Sequence, residues 1–295
     1  MKHGGIELGG TKIVCAISDD YGSFLDFQIV STTTAEETMP VLLGFFKGKE
    51  ISSLGIGSFG PIELDKKSTT YGYITSTPKK GWENTDIVAY FKQLNIPIGF
   101  DTDVNAACLG EVKNGAGTGF KNVVYGTVGT GIGFGVYLNG ELLHGLMHPE
   151  AGHMLITKHQ DDFDYNGPCP YHDNCLETLA SGPSIERRWG KKPYDLYNND
   201  RVWKLEAYYL GQAISNCILC FSPQKIILGG GVMHTPGLIE MVRKEVLHSL
   251  NGYIKKEEII YDIDNYIVLP GLGDNSGIVG AIELGKLELT KNVKT

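Results

Sequence analysis

The sequence predicts a duplicated α/β protein of two domains with a central cleft, and three observations carry that prediction. The chain has 295 residues, 42% of them apolar, enough for two cores of ordinary size. Segments 3–31 and 122–145 each read as a three-strand meander interrupted by a Gly-rich turn. Each meander then passes into alternating strands and helices, with the boundary between halves near 117–121. A cleft between such halves is a natural ligand site.

In the first half "GGIE" enters, "LGGTK" turns, "IVCAISD" returns, "DYGS" turns and "FLDFQIV" completes the meander. A helix is expected over about 35–47, then the strand "SLGIGSF", which ends in the Gly60-Pro61 turn. "TYGYITST" reads as a further strand, and "ENTDIVAYFKQL" as an amphipathic helix capped by Asn84 or Thr85. "IPIGFDTD" is a strand running into "VNAACLGEVKNGAG", a helix stopped by glycines. The second half repeats the opening, with Asn139-Gly140 as its hairpin turn. Helices near 183–189 and 200–221 follow, then the strand "KIILGGG", the helix "PGLIEMVRKEVLHSL", the strand "NYIVLPG" and a helix from about Ser276. The domains are therefore expected at 1–118 and 119–280, with a terminal helix over about 281–295 packing back on the first.

Composition removes several classes of function. A net charge of -8 argues against a nucleic-acid surface, and the Lys-Lys pairs at 66–67, 79–80, 191–192 and 255–256 read as isolated surface pairs. Residues 6–17 already read as strand, turn and strand, which leaves no signal peptide. No apolar run approaches membrane-spanning length, so neither membrane nor nucleic acid is expected as a partner. The chain reads as cytoplasmic, its six cysteines reduced, and clustered cysteines then suggest metal before disulfide.

Gly9-Gly10-Thr11-Lys12 lies between two strands, which excludes the Walker-type loop and the Rossmann fingerprint, since both need a following helix. It is either an ordinary tight turn or one presenting backbone N–H groups, a hydroxyl and a cation to phosphate. Gly129-Thr130-Gly131 occupies the matching turn of the second half, and two such turns can hold the two ends of a polyphosphate. Gly229, Gly230, Gly231 and Val232 lie between a strand and a helix, where a flat ligand such as a purine can rest on bare backbone. Asp101-Thr102-Asp103 ends a strand, the usual place for active groups in open α/β sheets. One of the two acids can accept a proton from a hydroxyl nucleophile, and a helix-capping role is expected for Asp101 or Asp103.

His153, Cys169, His172 and Cys175 form the sharpest cluster, the last three at C-x-x-H-x-x-C spacing. Four protein ligands close a tetrahedral zinc site, and a closed site is structural, because catalytic zinc keeps a position for water. The metal is thus expected to staple a long loop. Glu150 and Glu177 bracket that loop, each either a plain surface acid or an acceptor for sugar hydroxyls. Cys217 and Cys220 in "AISNCILCF" read as helix core. His3, His144, His148, His159, His234 and His248 have no partner legible in the sequence.

"GIELGGTK", "DTDVNAACLGE", "GTGIGFGVYLNG", "EAGH" with a Cys/His cluster ending in "CLE", and "ILGGGV" follow one another as in the ROK family of sugar kinases, which this chain resembles over roughly 5–285. The resemblance implies a duplicated ribonuclease-H-like fold of the actin and hexokinase superfamily. It also implies an ATP- and Mg²⁺-dependent hexose kinase, most similar to the bacterial fructokinase branch on Glu7 and Thr102, and a homodimer. Asp103 matches the general base. Gly9, Gly10, Thr11, Lys12, Thr130 and Gly131 match the phosphate turns, Gly229–Val232 the adenosine-side loop, and Pro183 the closure over the nucleotide. Gly60, Pro61, Thr102, Glu150, His153 and Glu177 match sugar contacts. The family's usual zinc cluster is one His and three Cys, so His172 and the spacing here depart from it. Glucokinase or mannokinase is the alternative activity. A sugar-sensing repressor of the same family needs a helix-turn-helix ahead of the first strand, where two residues precede His3.

Overall fold

The structure is a computed structural model that describes residues 1–293; the end of the expected terminal helix, 294–295, lies outside the described residues. β1 (Lys2–Leu8), β2 (Lys12–Asp19) and β3 (Phe24–Ser31) form the first antiparallel meander. α1 (Ala35–Phe46) starts where the Thr34 hydroxyl accepts from Glu37 N–H, and it buries Met39, Leu42 and Phe46. β4 (Ser53–Ser58), every residue buried, returns parallel to β1. A small ribbon of β5 (Tyr73–Ile74) and β6 (Thr85–Asp86) leads to α2 (Ile87–Phe91), β7 (Ile98–Thr102) and α3 (Asp103–Asn114). The sheet order is β3-β2-β1-β4-β7, with β4 and β7 parallel.

β8 (Val123–Val128), β9 (Ile132–Leu138) and β10 (Glu141–Leu142) repeat the meander. Asn139 and Gly140 both take positive φ, the backbone a two-residue hairpin requires. Then come α4 (Leu176–Ala180), α5 (Gly182–Trp189), α6 (Asp200–Phe221), β11 (Lys225–Gly229), α7 (Leu238–Leu250), two short helices α8 (Glu257–Ile260) and α9 (Ile263–Tyr266), and β12 (Ile267–Val268). The second sheet runs β10-β9-β8-β11-β12, the same order as the first, with β11 parallel to both β8 and β12. The duplication predicted from two meanders is therefore a duplication of sheet topology.

α10 (Ser276–Val293) ends the described chain and packs on α3, β4, β1 and β7. Glycine makes that contact possible: a Cβ on Gly55 would fall 1.6 Å from the Ala281 carbonyl oxygen, and one on Gly280 would fall 1.6 Å from that of Ala106. One compact unit gathers 1–118, Leu142–His148 and the chain from Asn275; the other comprises Gly119–Glu141 and Pro149–Asp274. The sequence put the last boundary at 280 and did not separate 142–148 from the second half.

Three elements differ from expectation. "TYGYITST" yields only the two residues of β5, because Thr75 gives its N–H to the Pro61 carbonyl instead of a ladder. The helix expected in 83–94 after an Asn84 or Thr85 cap begins at Ile87: Asn84 is left-handed, and Asp86, not Asn84 or Thr85, caps by accepting from Ala89 N–H. "NYIVLPG" keeps two strand residues, since α9 takes its start and Pro270 follows closely. Among the described residues no helix is long and apolar enough to cross a membrane.

Candidate active site and metal centre

In the first unit the carboxyl ends of three parallel strands finish in one row, Leu8 opposite Ser58 and Ser58 opposite Thr102. The residues just beyond that row are Gly9, Phe59 and Asp103, so sequence-distant turns meet there. Thr32 braces the Gly9–Lys12 turn, its hydroxyl donating to Gly9 O at 2.7 Å and its N–H to Thr11 O at 3.0 Å. Gly60-Pro61 is a cis peptide, and Pro61 O accepts from the N–H (2.8 Å) and hydroxyl (3.0 Å) of Thr75. Next to it, Ile62 N–H donates to Nε2 of buried His148 at 3.2 Å.

At the β7–α3 junction the cap is Thr102, which corrects the expectation of Asp101 or Asp103. Thr102 is the last extended residue, and its hydroxyl accepts from Asn105 N–H at 3.1 Å. Asp103 is then the first helical residue, and its Oδ1 accepts from Val104 N–H at 2.9 Å. Desolvation pushes the Asp103 carboxyl up to about 6, with the Val104 N–H pulling the other way. Buried Asp101 is committed elsewhere: it accepts from Thr102 N–H (2.8 Å), the Asn105 amide (2.7 Å) and His144 Nε2 (2.8 Å). That hydrogen bond raises His144 above the ordinary imidazole value against partial desolvation. Of the two acids, Asp101 is held by three donors, whereas Asp103 Oδ1 accepts from the Val104 N–H.

In the second unit the Gly129–Gly131 turn closes on itself, Gly129 N–H to Gly131 O at 2.9 Å, and Gly129 O accepts from Gly182 N–H at 2.8 Å. Gly182-Pro183 opens α5 under the Ser181 cap, so Pro183 follows directly on the residue that is bonded to Gly129. Glu177 Oε2 accepts from Ile132 N–H at 2.9 Å, which ties it to the same turn. Gly230 has φ +90, and a Cβ there would fall 2.4 Å from Val128 O. Thr130, Gly131, Glu177, Pro183 and Gly229–Val232 thus come together around the ends of β8 and β11. Gly230→Ala is expected to cost about 2–4 kcal/mol, from left-handed strain plus a backbone clash; a melting curve matching wild type would contradict this.

The metal-type cluster is assembled in this unit too. Gly152 lets the Ala151–His153 turn press on β9, since a Cβ there would fall 1.8 Å from Ile132 O. His153 Nδ1 lies 3.8 Å from Cys169 Sγ and 3.6 Å from Cys175 Sγ, and His172 Nδ1 lies 3.7 Å from Cys169 Sγ. All four donor atoms fall within 4.8 Å of one another. Zinc bonds of about 2.0–2.3 Å in a tetrahedron require donor separations of roughly 3.3–3.8 Å; the three separations of 3.6–3.8 Å meet that, and two nitrogens with two sulfurs are a donor set that suits zinc. Glu150 carries the turn that follows, its carbonyl accepting from His153 N–H at 3.0 Å.

Most histidines without a legible partner have one in space. His3 bonds Ser53 and Asp20, His144 bonds Asp101, His148 bonds Ile62 and His234 pairs with Asp274. These partners lie far along the chain, and local pattern carries no signal for them; His159, bonded to Asp161 N–H two residues on, is the local exception. Cys217 is buried in α6 as expected, while Cys220 is exposed.

A family model described as "ROK family" matches residues 3–288. A fructokinase of Lactococcus lactis subsp. cremoris is 44% identical over 296 residues, covering 100% of this chain and 99% of its own. A fructokinase of Pediococcus pentosaceus is 43% identical over 290 residues, covering 98% and 99%. The solved structure of a ROK hexokinase from Thermus thermophilus superposes with a TM-score of 0.80 at 27% identity, covering 99% of this chain and 100% of that one.

Proposed function

Because this chain belongs to the ROK family, with the actin/hexokinase-like fold of its sugar kinases, we propose that it is an ATP-dependent fructokinase acting on the 6-hydroxyl of D-fructose. The observation that carries the mechanism is Asp103, a desolvated carboxylate just past the carboxyl end of β7. In this reading Asp103 accepts the hydroxyl proton as the sugar oxygen bonds to the γ-phosphorus. The bond from that phosphorus to the bridging oxygen breaks, and its electron pair leaves with ADP. A carboxyl lifted to about 6 is still ionised at neutral pH and is a stronger base than an exposed one.

Gly9, Gly10, Thr11, Lys12, Thr130 and Gly131 serve the phosphates of ATP, and Pro183 and Gly229–Val232 its adenosine. Gly60, Pro61, Thr102, Glu150, His153 and Glu177 contact the sugar, and Nδ1 of His153 serves the metal cluster while Nε2 remains for a hydroxyl. Mg²⁺, brought in with ATP, would supply neutralisation of the phosphate charge. Zinc, held by His153, Cys169, His172 and Cys175, is a loop staple with no step of its own. The reading extends to a cytoplasmic homodimer, which light scattering checks.

Coupled assays across several hexoses test it: fructose is expected to be phosphorylated at least tenfold more efficiently than glucose by kcat/KM, a difference of about 1.4 kcal/mol. Equal or better efficiency with glucose makes the chain a glucokinase or general hexokinase instead. Thr102→Asn sharpens the test, because Asn also caps helices well and stability is retained. Its fructose-to-glucose ratio is expected to fall, and an unchanged ratio clears Thr102 of any part in the choice.

A further inference from the structure

Lys79, read from the sequence as half of an isolated surface pair, lies on the N-terminal Gly-rich turn. Its ammonium donates to Gly10 O at 2.6 Å and to Thr32 O at 3.4 Å. The connection that carries it is pinned on both sides. Thr75 holds Pro61 O through two hydrogen bonds. Trp82, wholly buried, donates from its indole to Thr33 O at 2.6 Å and meets Phe59 edge-on at 5.5 Å. Phe59 N–H in turn donates to Leu8 O, one residue before the turn. Residues 75–82 therefore bridge the Gly60-Pro61 turn and the Gly9–Lys12 turn, and Lys79 is the cation they deliver.

We propose that Lys79 is a catalytic residue of phosphoryl transfer, an inference that rests on the kinase reading above. Two of its three N–H donors hold the turn, and the third is offered to the γ-phosphoryl oxygens. Gly10 itself is open to a ligand, since it is exposed and a Cβ built on it meets nothing within 4 Å. A cation fixed in place before the reaction costs no reorganisation when charge moves onto the transferring group and the leaving oxygen. Lys12 starts β2 as an exposed side chain, whereas Lys79 arrives already bonded to Gly10 O of the turn and to Thr32 O beside it. Lys79 remains an ammonium throughout, since the hydroxyl proton goes to Asp103.

The test compares Lys79→Met, Lys79→Arg and, as an exposed neighbour, Lys80→Met. Lys79→Met is expected to lower kcat by about 10²-fold or more, the scale seen when one preorganised donor is removed, with KM for fructose within about threefold. By calorimetry it should bind a non-hydrolysable ATP analogue at least about tenfold more weakly while ADP affinity stays within about threefold, since ADP lacks the group contacted. Lys79→Arg recovers part of kcat, and Lys80→Met matches wild type. A kcat within threefold of wild type for Lys79→Met overturns the proposal. So does an equal loss of ATP-analogue and ADP affinity, which makes Lys79 a brace for the turn. If wild-type protein fails to phosphorylate fructose, the fructokinase reading fails instead, and the nucleotide measurements still decide Lys79.

Discussion

Asp103→Asn is expected to lower kcat by about 10²–10⁴ while leaving fructose and nucleotide binding within a few-fold, because only proton acceptance is removed. Wild-type kcat/KM should fall tenfold per pH unit below about 6, as the carboxyl lifted by desolvation takes up its proton. The stability signature has the opposite sign to that of a salt-bridged acid. With the folded pKa raised above the ordinary 3.8, ionisation costs the fold above pH 6, and that cost disappears as pH falls from 6 towards 4. The Asn variant is therefore expected to melt no lower than wild type at pH 8, separating lost chemistry from lost structure. A variant retaining more than half of wild-type kcat would show that Asp103 is not the base.

Cys175→Ser is expected to remove the metal and lower Tm. Wild-type protein should contain one zinc per chain by elemental analysis, and the variant little. The substitution is clean because Cys175 also caps α4, its sulfur accepting from Thr178 N–H at 3.4 Å, and serine caps at least as well. What is lost is the closure of the loop between His153 and Cys175. A loss of about 2 kcal/mol moves Tm by roughly 4–8 °C in a domain of this size, and chelation of wild-type protein should do the same. Activity should fall with it, because His153 is oriented from the cluster. Protein free of zinc, or a variant melting with wild type, would refute the metal assignment.

The sequence by itself determined the parts whose cause is local. The two meanders follow from alternating apolar runs broken by Gly-rich turns, the Asn139-Gly140 hairpin from its need for two positive φ values, and the zinc-type ligand set from spacing within one loop. Tertiary structure decided whatever depends on partners distant in sequence. Asp101 and Asp103 are two residues apart and alike in pattern, yet one is consumed by Asn105 and His144 while burial raises the pKa of the other. Lys79 and Lys80 look equivalent on paper, and only the packing of Trp82 against Phe59 and the bonding of Thr75 to Pro61 carry the first onto Gly10. Asp86 displaced the expected caps because Asn84 is held left-handed before the helix can start. Propensity and spacing act over a few residues, whereas desolvation and hydrogen-bond partnership are set by what the fold brings within about 3–4 Å.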